Sequence, residues 1–134
     1  IIGKNYKSNK KIIGNGKNTI ISYGVCAEQI FKILYQNTFL QKKYKLYNFS
    51  LVSNLSKTFF LTLSKKSKNL LIFEDHFNKG SLSEKIKLLL YENNIKTKMI
   101  CKNLGNNYFR PKKTLNELFE DYDITKQYLM NLKL

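Results

Sequence analysis

The chain has 134 residues, 43% of them hydrophobic, which is enough for one ordinary core and a single domain over residues 1–134. Its formal net charge is +15, from 24 Lys and Arg against nine Asp and Glu. No apolar run is long enough to span a bilayer, and no linker composition or fixed-period repeat divides the chain, which argues against a membrane span and against a tandem array.

The positive charge has two readings. Clustered cations bind nucleic acid by releasing counterions, whereas an AT-rich coding bias scatters Lys, Asn and Ile without purpose. Arg110 is the one arginine, and the lysines are spread along the chain in short pairs such as Lys10-Lys11, Lys42-Lys43, Lys65-Lys66 and Lys112-Lys113. A dedicated nucleic-acid binder would draw more on arginine, whose planar fork grips bases and phosphates bidentately. Compositional drift is therefore the preferred reading, and a nucleic-acid partner is not expected. Cys26 and Cys101 form no CxxC or Cys/His array, so no zinc site is expected, and both read as buried reduced thiols. The chain opens Ile1-Ile2-Gly3-Lys4 without Met and without a secretory signal, which suggests a fragment of a larger polypeptide.

In chain order, Lys10-Lys11-Ile12-Ile13 and Thr19 to Ser22 flank Gly14-Asn15-Gly16, predicting a short strand or hairpin that leads into a main strand. Helical spacing of Ile30, Phe31, Ile33 and Leu34 places a helix from about Val25 to Gln36. Tyr44 to Val52 returns to strand composition, and Leu55 to Leu63 suggests a short helix. Asn69-Leu70-Leu71-Ile72-Phe73 reads as a strand covered on both faces, because it is apolar without alternation. A helix follows from Leu82 to Glu92, then a strand over Lys96 to Leu104. Thr114-Leu115-Asn116-Glu117 is a capping box opening a further helix, and Asp123-Ile124-Thr125 opens the last. This alternation predicts an α/β fold, a three-layer sandwich around a mainly parallel sheet of about five strands.

Chemistry is sparse. His76 is the single histidine and follows Glu74 and Asp75 at the end of the buried strand, where open α/β sheets place ligand sites. It could act as a general base oriented by a carboxylate, or the three residues could shape a loop that meets a neighbouring domain or subunit. No nucleophile motif accompanies them. Gly14-Asn15-Gly16 precedes a strand, so it is not a dinucleotide fingerprint. Gly80-Ser81 precedes a helix whose N-terminus could hold an anion.

The stretch Leu70 to Glu84 (LLIFEDHFNKGSLSE) resembles the C-terminal domain of transketolase-type enzymes, in which an apolar strand ends in Glu-Asp/Glu-His before a glycine-rich turn and a helix. Thr19 to Gly24 is similar to the first main strand of that domain. The approach through Ile1-Ile2-Gly3-Lys4 and Gly16-Lys17, and the close through Tyr108-Phe109, Leu115 to Leu118 and Asp123-Ile124, look like 1-deoxy-D-xylulose-5-phosphate synthase. The chain departs from the family where an Asp-x-Arg…Lys-Pro-Leu-Asp pattern would stand, which here reads Asn48, Ser50 and Ser53 to Ser56, and where Gly-Gly-x-Gly becomes Gly80-Ser81-Leu82-Ser83.

The resemblance implies a third domain that carries no catalytic, cofactor or metal residue. Thiamine diphosphate and Mg2+ would be bound by domains absent here, with Glu74, Asp75, His76 and Gly80 in an interdomain or dimer-interface loop of a homodimer. The parent enzyme would join pyruvate to glyceraldehyde 3-phosphate with loss of carbon dioxide, feeding isoprenoid synthesis. Transketolase and the beta subunit of a 2-oxo-acid dehydrogenase are the near alternatives, and a basic nucleic-acid-binding module is the alternative of another class. Family and composition together suggest a plastid-like organelle such as an apicoplast, or a bacterial cytoplasm, and no membrane partner.

Overall fold

The computed structural model describes residues 10–49, 57–75, 80–103 and 114–134. Five strands, β1 (Lys10–Gly14), β2 (Asn18–Ser22), β3 (Tyr44–Asn48), β4 (Asn69–Phe73) and β5 (Lys98–Lys102), form one sheet in the order β1-β3-β2-β4-β5. β2, β3, β4 and β5 run parallel, and β1 lies antiparallel to β3 at the edge. The helices are α1 (Gly24–Tyr35), α2 (Thr38–Lys43), α3 (Lys57–Lys66), α4 (Leu82–Glu92), α5 (Leu115–Asp121) and α6 (Lys126–Asn131).

The sheet is the middle of three layers, and β4 shows why its sequence lacks alternation. Leu71 and Phe73 enter a core with Ile30, Leu34, Phe119 and Leu129, from α1, α5 and α6. Leu70 and Ile72 enter the opposite core with Phe60, Leu63, Ile86 and Leu90, from α3 and α4. Both side-chain sets of a period-2 strand are thus buried, so every position has to be apolar. β5 is the open edge and keeps Lys98 and Lys102 at its two ends, a charge pattern that discourages further strand pairing.

The predicted α/β architecture and its mainly parallel five-stranded sheet are observed. The helix expected over Val25 to Gln36 is α1, shifted by one residue, and the 69–73 strand and 82–92 helix stand at the expected bounds. The strand expected to run from Tyr44 to Val52 ends at Asn48, and the 50–56 part of that region lies outside the described residues. The helix expected from Leu55 is α3, observed from Lys57 to Lys66. α2 was not foreseen. It is one short turn-rich element, buried through Leu40 alone, which is too little periodicity to register in a sequence.

Gly14-Asn15-Gly16 does not close a hairpin. β1 pairs with β3, and the connection to β2 crosses the start of β3. Asn15 N–H donates to Gln41 O at 2.9 Å and Gly16 N–H to Tyr44 O at 3.1 Å, which pins the crossing. A Cβ on Gly16 would stand 2.1 Å from both Lys43 C and Tyr44 N, so only glycine passes there. Gly80 differs: it has φ of +73° but open space around its Cβ direction. Gly16→Ala should therefore lower stability by about 3 kcal/mol through backbone displacement, and Gly80→Ala by about 1 kcal/mol through left-handed strain alone. Urea unfolding of the two variants checks the ranking, and a reversal would mean that the crossing is not packed as described.

Candidate functional site

β2 is the strand from which the chain winds both ways. The β2–α1–β3 connection leads toward one edge, and β4–α4–β5 toward the other. The carboxyl ends of β2 and β4 therefore flank the switch point at which open α/β sheets bind ligands. Ser22 Oγ donates to Phe73 O across this gap at 2.6 Å, and Glu74 N–H continues the ladder to Lys102 O at 3.0 Å.

Glu74 fills the place that a ligand would take. Its side chain is 1% exposed and accepts four hydrogen bonds. Leu82 N–H donates to Oε2 at 2.8 Å, Ser83 N–H to Oε1 at 3.1 Å, Ser83 Oγ to Oε1 at 2.6 Å, and Tyr23 OH to Oε2 at 3.3 Å. The first two donors are the exposed amides of the first turn of α4, so a carboxylate from the chain occupies the anion position at that helix N-terminus. Ser81 caps the same helix by accepting from Glu84 N–H at 3.0 Å, and Glu84 Oε2 accepts from Gly80 N–H. Ser81 and Ser83 hydroxyls meet at 3.0 Å, and Asn103 Nδ2 donates to Ser83 Oγ at 3.4 Å.

The four residues singled out from sequence separate at this point. Glu74 is buried, Asp75 is exposed, and Gly80 makes the turn into the Ser81 cap. His76 lies outside the described residues. Tyr23 and Ser83, which complete the site, were not anticipated. Ser83 was legible as part of a Ser-x-Ser pair at a helix start, whereas Tyr23 carried no local signal, because its partner stands 51 residues away.

Beside Glu74 a small cleft open to solvent is lined by Val25, Cys26, Asp75, Leu115, Phe119 and Ile124. Burial pushes the Cys26 thiol up to about 12, and the Asp75 and Glu74 charges add to this. Burial likewise pushes the Tyr23 phenol well above its ordinary value, reinforced by the charge and hydrogen bond of Glu74. Cys26 is thus held as a neutral thiol, a poor nucleophile, and Tyr23 as a neutral donor. The arrangement ties two strands and two helix starts together and leaves no acceptor of Glu74 directed at a substrate. Among the described residues no group of three or more His, Cys, Asp or Glu could hold a metal ion, and no helix is long and apolar enough to cross a membrane.

No protein-family model matches the sequence, and no curated protein matches it. Solved structures do share its fold. A split-gene transketolase, described as an inactive beta4 tetramer, superposes with a TM-score of 0.72 at 14% identity over 92% of this chain. The 2-oxoglutarate:ferredoxin oxidoreductase of Magnetococcus marinus, solved with 2-oxoglutarate, coenzyme A and succinyl-CoA bound, superposes at 0.57 and 19% identity over 87%. The chain spans 41% of the first of these and 20% of the second. At such identities the likeness establishes the fold.

Removing the carboxylate strands buried donors, so Glu74→Ala should cost about 3 kcal/mol or more, against about 1.5 kcal/mol for Ser83→Ala. Chemical denaturation of both checks this, and equal small losses would contradict the central position of Glu74. Alkaline pH provides a second check. Cys26 rises from 9.0 and Tyr44 from 10.0, each to about 12, both mainly through burial. The folded chain keeps these protons where the unfolded chain has lost them. Stability from these groups is therefore complete below pH 9 and disappears as pH rises from 9 to 12. The melting temperature should fall over that window, and Cys26→Ala should flatten its onset.

Proposed function

We propose that this chain serves as a non-catalytic third domain of a thiamine-diphosphate-dependent enzyme of the transketolase and 2-oxo-acid type, where it packs against the cofactor-binding domains and assists subunit pairing. One observation carries the reading: this chain superposes on a split-gene transketolase chain with a TM-score of 0.72 over 92% of its residues. The described residues do not suit thiamine diphosphate and Mg2+. The amides at the start of α4 that could receive a diphosphate are taken by Glu74, and the described residues offer no carboxylate cluster for the metal. The proposal accordingly assigns the cofactor to other domains or chains.

The finer assignment is 1-deoxy-D-xylulose-5-phosphate synthase, which rests on the sequence resemblance of the approach to β2, through Ile1 to Lys4 and Gly16-Lys17, and of the close through Tyr108-Phe109, Leu115 to Leu118 and Asp123-Ile124. Transketolase or a 2-oxo-acid enzyme accommodates the fold equally well. The loop of Glu74, Asp75, His76 and Gly80 is assigned to an interdomain or dimer contact, and the plastid-like or bacterial setting belongs to the same proposal.

Full-length enzyme supplied with thiamine diphosphate and Mg2+ should turn over pyruvate and glyceraldehyde 3-phosphate with release of carbon dioxide. Turnover of ketose donors without use of pyruvate would replace the synthase by transketolase, and failure to bind thiamine diphosphate at all would remove the class. In the same enzyme, His76→Ala should weaken dimerisation in sedimentation more than it lowers kcat. A lost kcat with an intact dimer would place His76 in the chemistry.

A further inference from the structure

Lysines that are scattered in sequence are gathered in space. The parallel register aligns Tyr44, Asn18, Asn69 and Lys98 at the starts of β3, β2, β4 and β5. The residues just before the first three of these are Lys43, Lys17 and Lys68, and Lys68 N–H donates to Lys17 O at 2.9 Å. Adjacent strands lie about 4.8 Å apart, so the row that ends at Lys98 spans about 15 Å. The connections bring more charge to the same end of the sheet, because α3 finishes there on Lys65 and Lys66 and Lys96 leads into β5. Lys17, Lys65, Lys66, Lys68, Lys96 and Lys98 are all exposed.

Most of the acids are elsewhere. Glu74 and Asp75 follow β4 at the opposite end of the sheet, and Glu84 stands in the first turn of α4. Glu92, in the last turn of α4, is the acidic side chain that reaches the lysine end among the described helix termini. Repulsion is already felt on this side of the molecule. Lys45, in β3, has its pKa lowered by burial first and then by the charges of Lys11 and Lys66.

A second feature coincides with the lysines. The large aromatic side chains most exposed among the described residues are Tyr91 at 82%, Tyr35 at 69% and Phe39 at 66%. Tyr35 ends α1, Phe39 stands in α2 just before β3, and Tyr91 is in the last turn of α4. All three therefore sit on helices that lead back to the lysine-bearing strand starts, Tyr35 and Phe39 on one side of the sheet and Tyr91 on the other. Lysine rows with exposed aromatic rings among them are the elements with which single-stranded nucleic acids are held, the cations following the backbone and the rings stacking on bases.

We infer that the amino-terminal end of the parallel sheet is a binding face for single-stranded nucleic acid, with Lys17, Lys66 and Lys98 contacting phosphates and Tyr35, Phe39 and Tyr91 stacking on bases. The surface is distinct from the Glu74 site and independent of the proposed enzymatic assignment. Lys43 is not counted as a phosphate ligand, because its Nζ donates to Leu129 O at 3.2 Å and Leu132 O at 2.8 Å, holding α6.

Fluorescence anisotropy of the full-length protein with a labelled 20-nucleotide oligo(dT), titrated at several salt concentrations, tests the inference. The expected result is an affinity whose logarithm falls linearly with log salt. Each of Lys17→Gln, Lys66→Gln and Lys98→Gln should reduce the slope by about 0.7. Tyr91→Ala combined with Tyr35→Ala should weaken binding about tenfold or more with the slope unchanged, in line with the cost of losing stacked bases. Lys85→Gln, in the first turn of α4 at the opposite end of the sheet, should leave both quantities alone. Three results would overturn it: no binding at physiological salt, equal loss from the Lys85 control, or full competition by base-free polyphosphate with no effect of the tyrosine variants. Binding to anionic phospholipid vesicles but not to the oligonucleotide would likewise replace nucleic acid by a membrane surface. Circular dichroism of each variant separates a lost face from a lost fold.

Discussion

A carboxylate buried against the first turn of α4 is the contact on which the rest of this molecule is arranged. Glu74 leaves β4 at the centre of the sheet and accepts from the amides of Leu82 and Ser83, from the Ser83 hydroxyl and from Tyr23 at the start of α1. A buried carboxylate is costly unless each oxygen is matched by donors, and here each has two. The match fixes the direction in which α4 leaves the loop. That direction lets Ile86 and Leu90 reach the same core as Leu70 and Ile72. Tyr23 brings α1, packed on the opposite face, into the same set of bonds. One side chain thus couples the two outer layers across the sheet.

The same bonding decides what the switch-point crevice can do. In a sheet of this topology the helix start beside the central strands is the natural anion position. Once an internal carboxylate holds it, a phosphate or diphosphate would have to displace four hydrogen bonds. Cys26 and Tyr23 next to it are kept protonated by burial and by the neighbouring acids. The crevice therefore acts as a joint.

How much of this could be read from the residues depended on the range of the interaction. β4 and α4 were legible at their bounds, because a double-sided apolar strand and a 3.6-residue apolar stripe are local patterns. The Thr114 capping box was legible for the same reason, and its reciprocal bonds with Glu117 are present. Gly14-Asn15-Gly16 fits a short strand or a hairpin in the sequence, because a tight turn and a chain crossing need the same small residues, and only the position of β3 tells them apart. Glu74 and Asp75 were adjacent letters with one expected role. Strand alternation and the α4 amides sent one inward and left the other exposed. Tyr23 was invisible as a site residue because its partner is 51 positions distant.

The charge shows how topology can give order to an unordered composition. In an alternating α/β chain every crossover helix begins at the carboxyl end of the sheet and finishes at the amino end. The helix dipoles therefore favour acids at one end and lysines at the other. A coding bias that supplies lysine everywhere meets this filter only in part, because α4 ends on Glu92 and α5 on Glu120 and Asp121, while α3 and α6 begin on Lys57 and Lys126. Glu84 and Glu117 are found in first turns, and Lys32, Lys42, Lys43, Lys65 and Lys66 in last turns. Each placement contributes little on its own. Added over parallel elements in register, they place cations a strand-spacing apart on one surface, and the resulting potential does not depend on how the lysines were acquired. The even spread of lysine along the sequence and its concentration on one face are thus compatible, and the second follows from the fold.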